Sequence, residues 1–119
     1  MLMIKNSKVF NKKYCFDIDG VICKTYMSDY KKSKPIHKAI NKINSLYADG
    51  NQILIFTSRF MGRNEDSIYL ARKQGYRFTF KQLKKWKLKF HKLIFGKPSF
   101  DIVVDDKSLF YNKSWYNKI

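Results

Sequence analysis

The most constraining feature of the sequence is the segment Asp17–Gly20 (DIDG), which directly follows an apolar run at residues 14–16. Side chains alternate between the two faces of a strand, so Asp17 and Asp19 begin on the same side, and Gly20 permits a sharp turn just beyond them. Two carboxylates held this close repel each other unless a metal ion or a proton lies between them. Asp and Gly are also ordinary turn residues, so the motif alone equally fits an acidic turn after a strand.

The length of the chain predicts a single domain, 1–119, that is large enough to bury a core, since 45% of its 119 residues are hydrophobic. No segment approaches the roughly 18 to 20 uninterrupted apolar residues of a membrane span. The apolar start Met1–Ile4 is followed by Lys5, so it does not predict a signal peptide. We therefore expect a cytoplasmic protein with no membrane partner.

The chain is strongly basic, with 25 Lys and Arg residues against 9 Asp and Glu, a formal net charge of +16. Such a surface attracts phosphates, nucleic acid or acidic lipid headgroups. Lysine is scattered along the whole chain, which favours a general compositional bias over a dedicated nucleic-acid surface. The acids are placed less evenly, because four of the nine are Asp17, Asp19, Asp105 and Asp106.

The two cysteines, Cys15 and Cys23, do not form a CxxC pair, and nothing in the sequence indicates an oxidising compartment. We expect both to be reduced. Cys15 is expected to pack as a small apolar residue.

Hydrophobic periodicity predicts alternating strands and helices. Strands are expected at residues 13–18, buried on both faces, at 52–56 and briefly at 93–95, with a last strand at 102–104. Residues 20–34 are polar and predict a loop or small flap. Helices are expected from a cap at Ser33 to Gly50, from about residue 64 to a stop at Gly75, and from a cap at Thr79 to about residue 87.

This order predicts an α/β fold with a mostly parallel sheet flanked by helices. In such sheets ligands bind outside the carboxyl ends of the strands. One cleft should therefore collect the polar residues that follow the predicted strands: Asp17, Asp19, Thr57, Ser58, Asp105 and Asp106.

That set suits phosphoryl chemistry. Magnesium prefers oxygen ligands and needs only one or two carboxylates besides water and a substrate phosphate, a role that fits Asp17 and Asp105. A carboxylate can also attack phosphorus, with Thr57 and Lys97 as natural partners of the phosphoryl oxygens. Asp19 can then protonate the leaving oxygen and later deprotonate the attacking water.

Four segments resemble, in order and context, the motifs of haloacid dehalogenase-superfamily phosphatases, and the resemblance covers about residues 13–108. They are residues 14–21, residues 53–58, Lys97 and residues 102–106. The segments at residues 82–86, 96–98 and 101–107 resemble more closely the small phosphatases of capsule and surface-polysaccharide biosynthesis.

The resemblance implies a Rossmann-like core, magnesium as cofactor and an aspartyl-phosphate intermediate. Asp17 would be the nucleophile, Asp19 the acid/base, Thr57 a phosphate ligand and Lys97 the charge-stabilising lysine. The metal ligands would be Asp17, the backbone carbonyl of Asp19, and Asp105 supported by Asp106. Gly20, Ser58 and Arg59 are further candidates for binding substrate or phosphate.

The family usually carries a cap domain after its first or second motif, but residues 21–51 and 59–96 leave room for none. An open site either accepts bulky substrates or borrows walls from another subunit, so a homo-oligomer is possible. Arg59 and Arg63 are expected to overhang the cleft, where an arginine can bind a carboxylate or a second phosphate. His37 and His91 lack metal-ligand spacing and are expected to be structural or exposed.

The sequence thus predicts a phosphomonoesterase acting on a small phosphorylated metabolite such as a sugar or polyol phosphate. A nucleotide or polynucleotide-end phosphatase is the alternative that the charge suits. An inactive basic nucleic-acid-binding module is a third possibility. The aromatic tail at residues 107–119 is too apolar to be free and should pack on the domain or on a partner.

Overall fold

A computed structural model describes residues 9–119, so the apolar start Met1–Ile4 lies outside the described residues. The elements follow in the order β1 (Lys13–Phe16), β2 (Cys23–Lys24), β3 (Lys34–Pro35), α1 (His37–Ala48), β4 (Gln52–Thr57), α2 (Ile68–Lys85) and β5 (Lys92–Phe95). Short 3-10 turns lie at Tyr30–Lys32, Gly62–Asn64 and Trp115–Asn117. Among these residues, no helix combines the length and apolar character needed to cross a membrane.

The main sheet has three parallel strands in the order β1-β4-β5, which confirms the predicted α/β class with a parallel sheet. Both strand-to-strand connections are long and contain a helix, α1 before β4 and α2 before β5, as parallel pairing requires. The carboxyl ends of all three strands consequently meet at one edge of the sheet. β2 and β3 form a separate antiparallel pair within the flap that follows β1.

The core lies against one face of this sheet. Along β4 the side chains alternate between buried and half-buried positions, and the register places Phe16, Ile55 and Leu93 side by side on the buried face. They belong to one hydrophobic cluster with the buried residues of α1 and α2. The opposite face carries Cys15, Leu54, Phe56 and Ile94, none of which is buried. Burial of the first strand on both faces was therefore the wrong expectation, and Cys15 is exposed.

The first helix is largely as predicted, with Ala39, Ile40, Ile43 and Leu46 facing the core. It begins at His37 and not at a Ser33 cap, because Pro35 pairs with Cys23 in the flap. The next two predicted helices are in fact one continuous helix, α2, which passes through Gly75 and Thr79. Both residues are buried inside it, so neither marks a helix end.

The predicted strand at residues 102–104 does not form, and Ile102 and Val104 are 82% and 94% exposed. Three β-branched residues confer strand propensity, but so short a run supplies few hydrogen bonds to fix it against a neighbour. The tail beyond it packs in part, because Trp115 is buried while Phe110 is exposed. The Trp115 indole donates a hydrogen bond to the Val21 carbonyl at 3.1 Å.

Candidate functional site

Three of the expected site residues meet at the carboxyl edge of the sheet: Asp17 after β1, Thr57 at the end of β4 and Lys97 after β5. The Lys97 backbone N–H donates to the Thr57 carbonyl at 3.2 Å, which holds the two chain segments together. The Lys97 ammonium lies 3.1 Å from Oδ2 of Asp17. The contact joins residues 80 positions apart, which follow the two strands on either side of β4.

The Asp17–Lys97 pair remains open to solvent, with 31% of the Asp17 side chain and 22% of the Lys97 side chain exposed. Asp17 Oδ1 accepts the Ile18 N–H at 2.7 Å, which fixes the orientation of the carboxylate. The Lys97 ammonium can offset the negative charge of an anionic group that binds here, and the oriented Asp17 carboxylate then lies beside that group.

Asp19 has a different cationic partner. Its Oδ2 accepts Nε of Arg59 and its Oδ1 accepts Nη2 of the same side chain, both at 2.9 Å, in a bidentate ion pair. The Thr25 hydroxyl donates to the same Oδ1. The two carboxylates of the DIDG segment thus have different cationic partners: Asp17 is paired with Lys97 and Asp19 with Arg59.

Arg59 is held inside the protein and does not overhang the cleft. Its side chain is fully buried, Nη1 donates to Oε1 of Gln82 on α2 at 2.7 Å, and its guanidinium carbon lies 4.7 Å from the centre of the Tyr30 ring. Gln82 in turn donates to the Tyr30 carbonyl at 2.8 Å. The structure therefore places Arg59 as a support for Asp19, whereas Arg63 is exposed.

Thr57 and two further residues, Ser58 and Gly20, were expected to bind phosphate or substrate. The Thr57 hydroxyl accepts the Arg59 N–H at 3.0 Å, so its own proton remains available to donate, although Thr57 is fully buried. Ser58 is half-buried and lines a recess beside the strand end. Gly20 adopts a left-handed φ of 85°, and its N–H donates to the Cys23 carbonyl at 2.8 Å.

Both cysteines are free, as expected. Burial raises the pKa of the Cys23 thiol to about 11, which keeps it protonated beside Asp19. The pKa of Cys15 is raised mainly by desolvation and further by the charges of Asp17 and Asp105, against the opposing effect of Lys97.

The other two acids expected at the site, Asp105 and Asp106, are exposed and lie on a loop. Asp105 Oδ1 accepts the Lys107 N–H at 2.9 Å, and Asp106 lies 3.9 Å from the Lys107 ammonium. Within residues 9–119, no group of three or more His, Cys, Asp or Glu side chains is close enough to hold a metal ion. The structure does not bring Asp17, Asp19, Asp105 and Asp106 into one compact cluster.

Sequence reasoning missed several residues that support the site. Ser33 was expected to cap a helix, but its hydroxyl lies 2.6 Å from that of Thr25. Gln82 was expected to form a capping box with Thr79 and to begin the segment that resembles the capsule phosphatases, but not to support Asp19 and Arg59. Tyr111 donates from its hydroxyl to the Gly20 carbonyl at 2.8 Å. The available signal was Arg59 itself, because an arginine flanked by buried strand and turn residues needs an acid and further acceptors.

His91 has the structural role expected of it. Its Nδ1 accepts the Ile53 N–H at 3.0 Å, and its ring stacks on Tyr47 with centres 4.5 Å apart. His37 is exposed in the first turn of α1.

No protein-family model matches the sequence, and no curated protein matches it at a significant level. The fold is similar to that of a Vibrio cholerae protein of known crystal structure, with a TM-score of 0.81 over 91% of this chain and 89% of that one. The two sequences are 22% identical over this match. At that identity the similarity shows a shared fold and nothing of the chemistry.

Proposed function

We propose that this protein is a magnesium-dependent phosphomonoesterase of the haloacid dehalogenase type. The observation that carries the proposal is that the two DIDG carboxylates have different environments. Asp17 is accessible beside Lys97, whereas Asp19 is held by buried Arg59. A solvated acidic turn does not require a buried counter-ion for one acid and a long-range lysine for the other. Two neighbouring carboxylates in different environments can perform different steps of one reaction.

In the proposed reaction an Asp17 carboxylate oxygen attacks phosphorus, and the bond from phosphorus to the substrate oxygen breaks. Asp19, which takes up a proton from solvent on Oδ2 before the first step, gives this proton to the departing oxygen. It then removes a proton from a water molecule, whose oxygen attacks phosphorus while the bond to Asp17 breaks and releases inorganic phosphate. Lys97 offsets the charge on the phosphoryl oxygens.

The Arg59 pair bears on the step assigned to Asp19. A carboxylate oxygen has about two lone-pair positions. Oδ1 of Asp19 accepts hydrogen bonds from Arg59, Thr25 and the Cys23 thiol, whereas Oδ2 accepts one from Arg59 alone. One position on Oδ2 is left for the substrate oxygen or the water. The bidentate contact fixes the carboxylate plane, so Arg59 is proposed as a positioning residue for Asp19.

Magnesium would be held by Asp17 and Asp105, with water completing its coordination, and by the Asp19 carbonyl and Asp106 where the resemblance applies. The donors suit a hard cation because they are carboxylate oxygens that are partly or fully exposed. The ion would supply positive charge to the phosphoryl group.

The proposed substrate is a small phosphorylated metabolite, such as a sugar or polyol phosphate of capsule or surface-polysaccharide biosynthesis. Only the small β2-β3 flap follows the first motif, and only a 3-10 turn and α2 follow the second. A capless phosphatase of this kind leaves the Asp17–Lys97 pair open to such a substrate.

The test is hydrolysis of p-nitrophenyl phosphate with magnesium. We expect turnover that EDTA abolishes and added magnesium restores, and a loss of about a thousandfold or more in kcat in the Asp17→Asn variant. Asp49→Asn, which removes an exposed acid at the far end of α1, should behave as wild type. Full activity in Asp17→Asn, or no turnover across sugar, polyol and nucleotide phosphates, would contradict the proposal.

The helix α2 favours one second candidate, a phosphatase acting on polynucleotide ends. Its sequence contains six basic residues and no acid, and Tyr69 and Phe80 are exposed among them. Basic side chains beside exposed rings are typical of surfaces that bind single strands. Binding of an oligonucleotide that weakens steeply with salt, together with phosphate release from its end, would support this candidate over the first.

A further inference from the structure

The two arginines that follow β4 have opposite environments although only three residues separate them. Arg59 is buried and bound to an acid, whereas Arg63 is exposed in the 3-10 turn at Gly62–Asn64. Within residues 9–119, Arg63 has no acidic side chain within ion-pair distance, although Asp19, Asp29, Asp105 and other acids are described there. Its positive charge is therefore left for another anion.

Arg63 is also held in place. Its guanidinium carbon lies 4.7 Å from the centre of the Phe60 ring and 5.2 Å from that of Tyr30, and the two rings are 4.9 Å apart. Nη2 donates to the Ser28 carbonyl at 3.2 Å. A guanidinium has five N–H donors, so this single bond leaves most of them for a ligand. Because two rings and a carbonyl already orient the group, a ligand loses little side-chain freedom on binding to it.

Arg63 lines a recess together with Tyr30, Phe60 and three serines, Ser28, Ser58 and Ser99. Ser58 directly follows Thr57, and Ser99 lies two residues after Lys97, so two residues of the recess belong to the chain segments that carry Thr57 and Lys97 at the carboxyl edge of the sheet. The Ser99 hydroxyl donates to Asp66 at 2.9 Å, which leaves its oxygen to accept a hydrogen bond. Hydroxyls beside two aromatic rings suit a polyhydroxylated carbon chain, with polar contacts to its hydroxyls and apolar contacts to its C–H groups.

We propose that this recess binds the leaving group of the substrate and that the substrate carries a second anionic group, a carboxylate or a second phosphate, which Arg63 binds. This inference rests on the proposed phosphatase function. It narrows the substrate from any phosphorylated metabolite to a phosphorylated sugar acid or a sugar bisphosphate, and it makes Arg63 a specificity-determining residue.

Two matched substrate pairs test the inference and separate the two anions. Sorbitol 6-phosphate and 6-phosphogluconate differ only in that a carboxylate replaces a terminal hydroxymethyl group. Fructose 6-phosphate and fructose 1,6-bisphosphate differ by one phosphate. We expect kcat/KM to be about tenfold or more higher for the doubly anionic member of at least one pair, since a charged hydrogen bond has that magnitude.

The Arg63→Gln variant should lose that preference, and Arg63→Lys should keep part of it, because lysine retains the charge but not the planar fork. Lys38→Gln removes one exposed positive charge on α1 and controls for net charge, so it should keep the full preference. Equal kcat/KM for both members of both pairs in the wild type would overturn the inference. An Arg63→Gln variant that lowers kcat/KM by the same factor for both members of each pair would also overturn it.

Failure of the phosphatase proposal is distinguishable, because it would appear as no magnesium-dependent hydrolysis of p-nitrophenyl phosphate or of any of these four sugar substrates. Calorimetry with Asp17→Asn then decides the role of the recess without turnover. We expect this variant to bind 6-phosphogluconate or fructose 1,6-bisphosphate about tenfold or more tightly than the singly anionic counterpart, and the double variant with Arg63→Gln to lose the difference. Equal binding in both backgrounds would overturn the inference.

Discussion

Asp19 and Arg59 form a pair in which only one partner meets solvent, since 28% of the Asp19 side chain is exposed and none of the Arg59 side chain is. Removal of Asp19 would leave a guanidinium charge inside the protein with only neutral partners. Removal of Asp17 would leave Lys97, which already has access to water. The two acids of one short segment should therefore differ in their contribution to folding.

We predict that Asp19→Ala lowers the free energy of unfolding by about 3 kcal/mol or more, whereas Asp17→Ala changes it by less than about 1 kcal/mol. Urea denaturation of both variants measures the difference. Equal destabilisation by Asp19→Ala and Asp17→Ala would contradict a buried ion pair between Asp19 and Arg59. Kinetic tests of Asp19 should use Asp19→Asn, which keeps an acceptor for the guanidinium.

At the scale of elements, helix α2 and the turn after β4 are in close contact at Gly75. A Cβ atom built on Gly75 would lie 2.2 Å from an atom of the Phe60 ring, and Phe60 itself has a left-handed φ of 66°. Such a φ is uncommon for a bulky residue and persists only where the surroundings enforce it. The absence of a side chain at Gly75 therefore creates the place where Phe60 packs and where the recess beside Arg63 begins.

We predict that Gly75→Ala destabilises the protein by about 1 to 3 kcal/mol, because the displaced Phe60 ring outweighs the better helix propensity of alanine. Gly62→Ala is the matched control, since a Cβ there meets no atom within 4 Å and its effect should be small. Thermal or urea unfolding measures both. A Gly75→Ala variant that is more stable than wild type would contradict the prediction that Phe60 packs too closely on Gly75 to admit a Cβ atom.

The same residues explain how far the sequence could predict the elements. Gly75 and Thr79 are residue types that often mark helix ends, but here both are buried inside α2, and burial is a property of the folded chain. The strands at residues 13–16, 52–57 and 92–95 were predictable because each has an apolar run bounded by polar residues. Residues 102–104 have the same local pattern without a neighbour to pair with, which no local signal reveals.

The candidate site was predictable to the same extent. Asp17, Thr57 and Lys97 could be grouped because strand ends meet at one edge of a parallel sheet. The pairing of Asp19 with Arg59, and its support by Gln82, depends on how α2 packs against the turn after β4. Sequence spacing carries no information on that packing.

At the scale of the whole molecule, the net charge of +16 should oppose folding through self-repulsion, since the described ion pairs are few and two of them lie on the surface. We predict that raising potassium chloride from about 50 mM to about 500 mM increases the Tm. The added salt shortens the Debye length and so weakens the repulsion between exposed positive charges. Differential scanning calorimetry measures the shift, and an equal osmolality of a neutral solute controls for non-ionic effects. A Tm independent of salt would contradict the prediction.

The exposed sheet face has a practical consequence at Cys15. The chain has two cysteines, and Cys23 is buried with a pKa raised to about 11, so a thiol reagent will react with Cys15 first. Because the pKa of Cys15 is also raised, labelling should be slow near neutral pH and faster in mild alkali. The native sequence therefore provides a single attachment point for a fluorophore, two residues before Asp17, from which the arrival of an anion beside Lys97 can be followed by fluorescence.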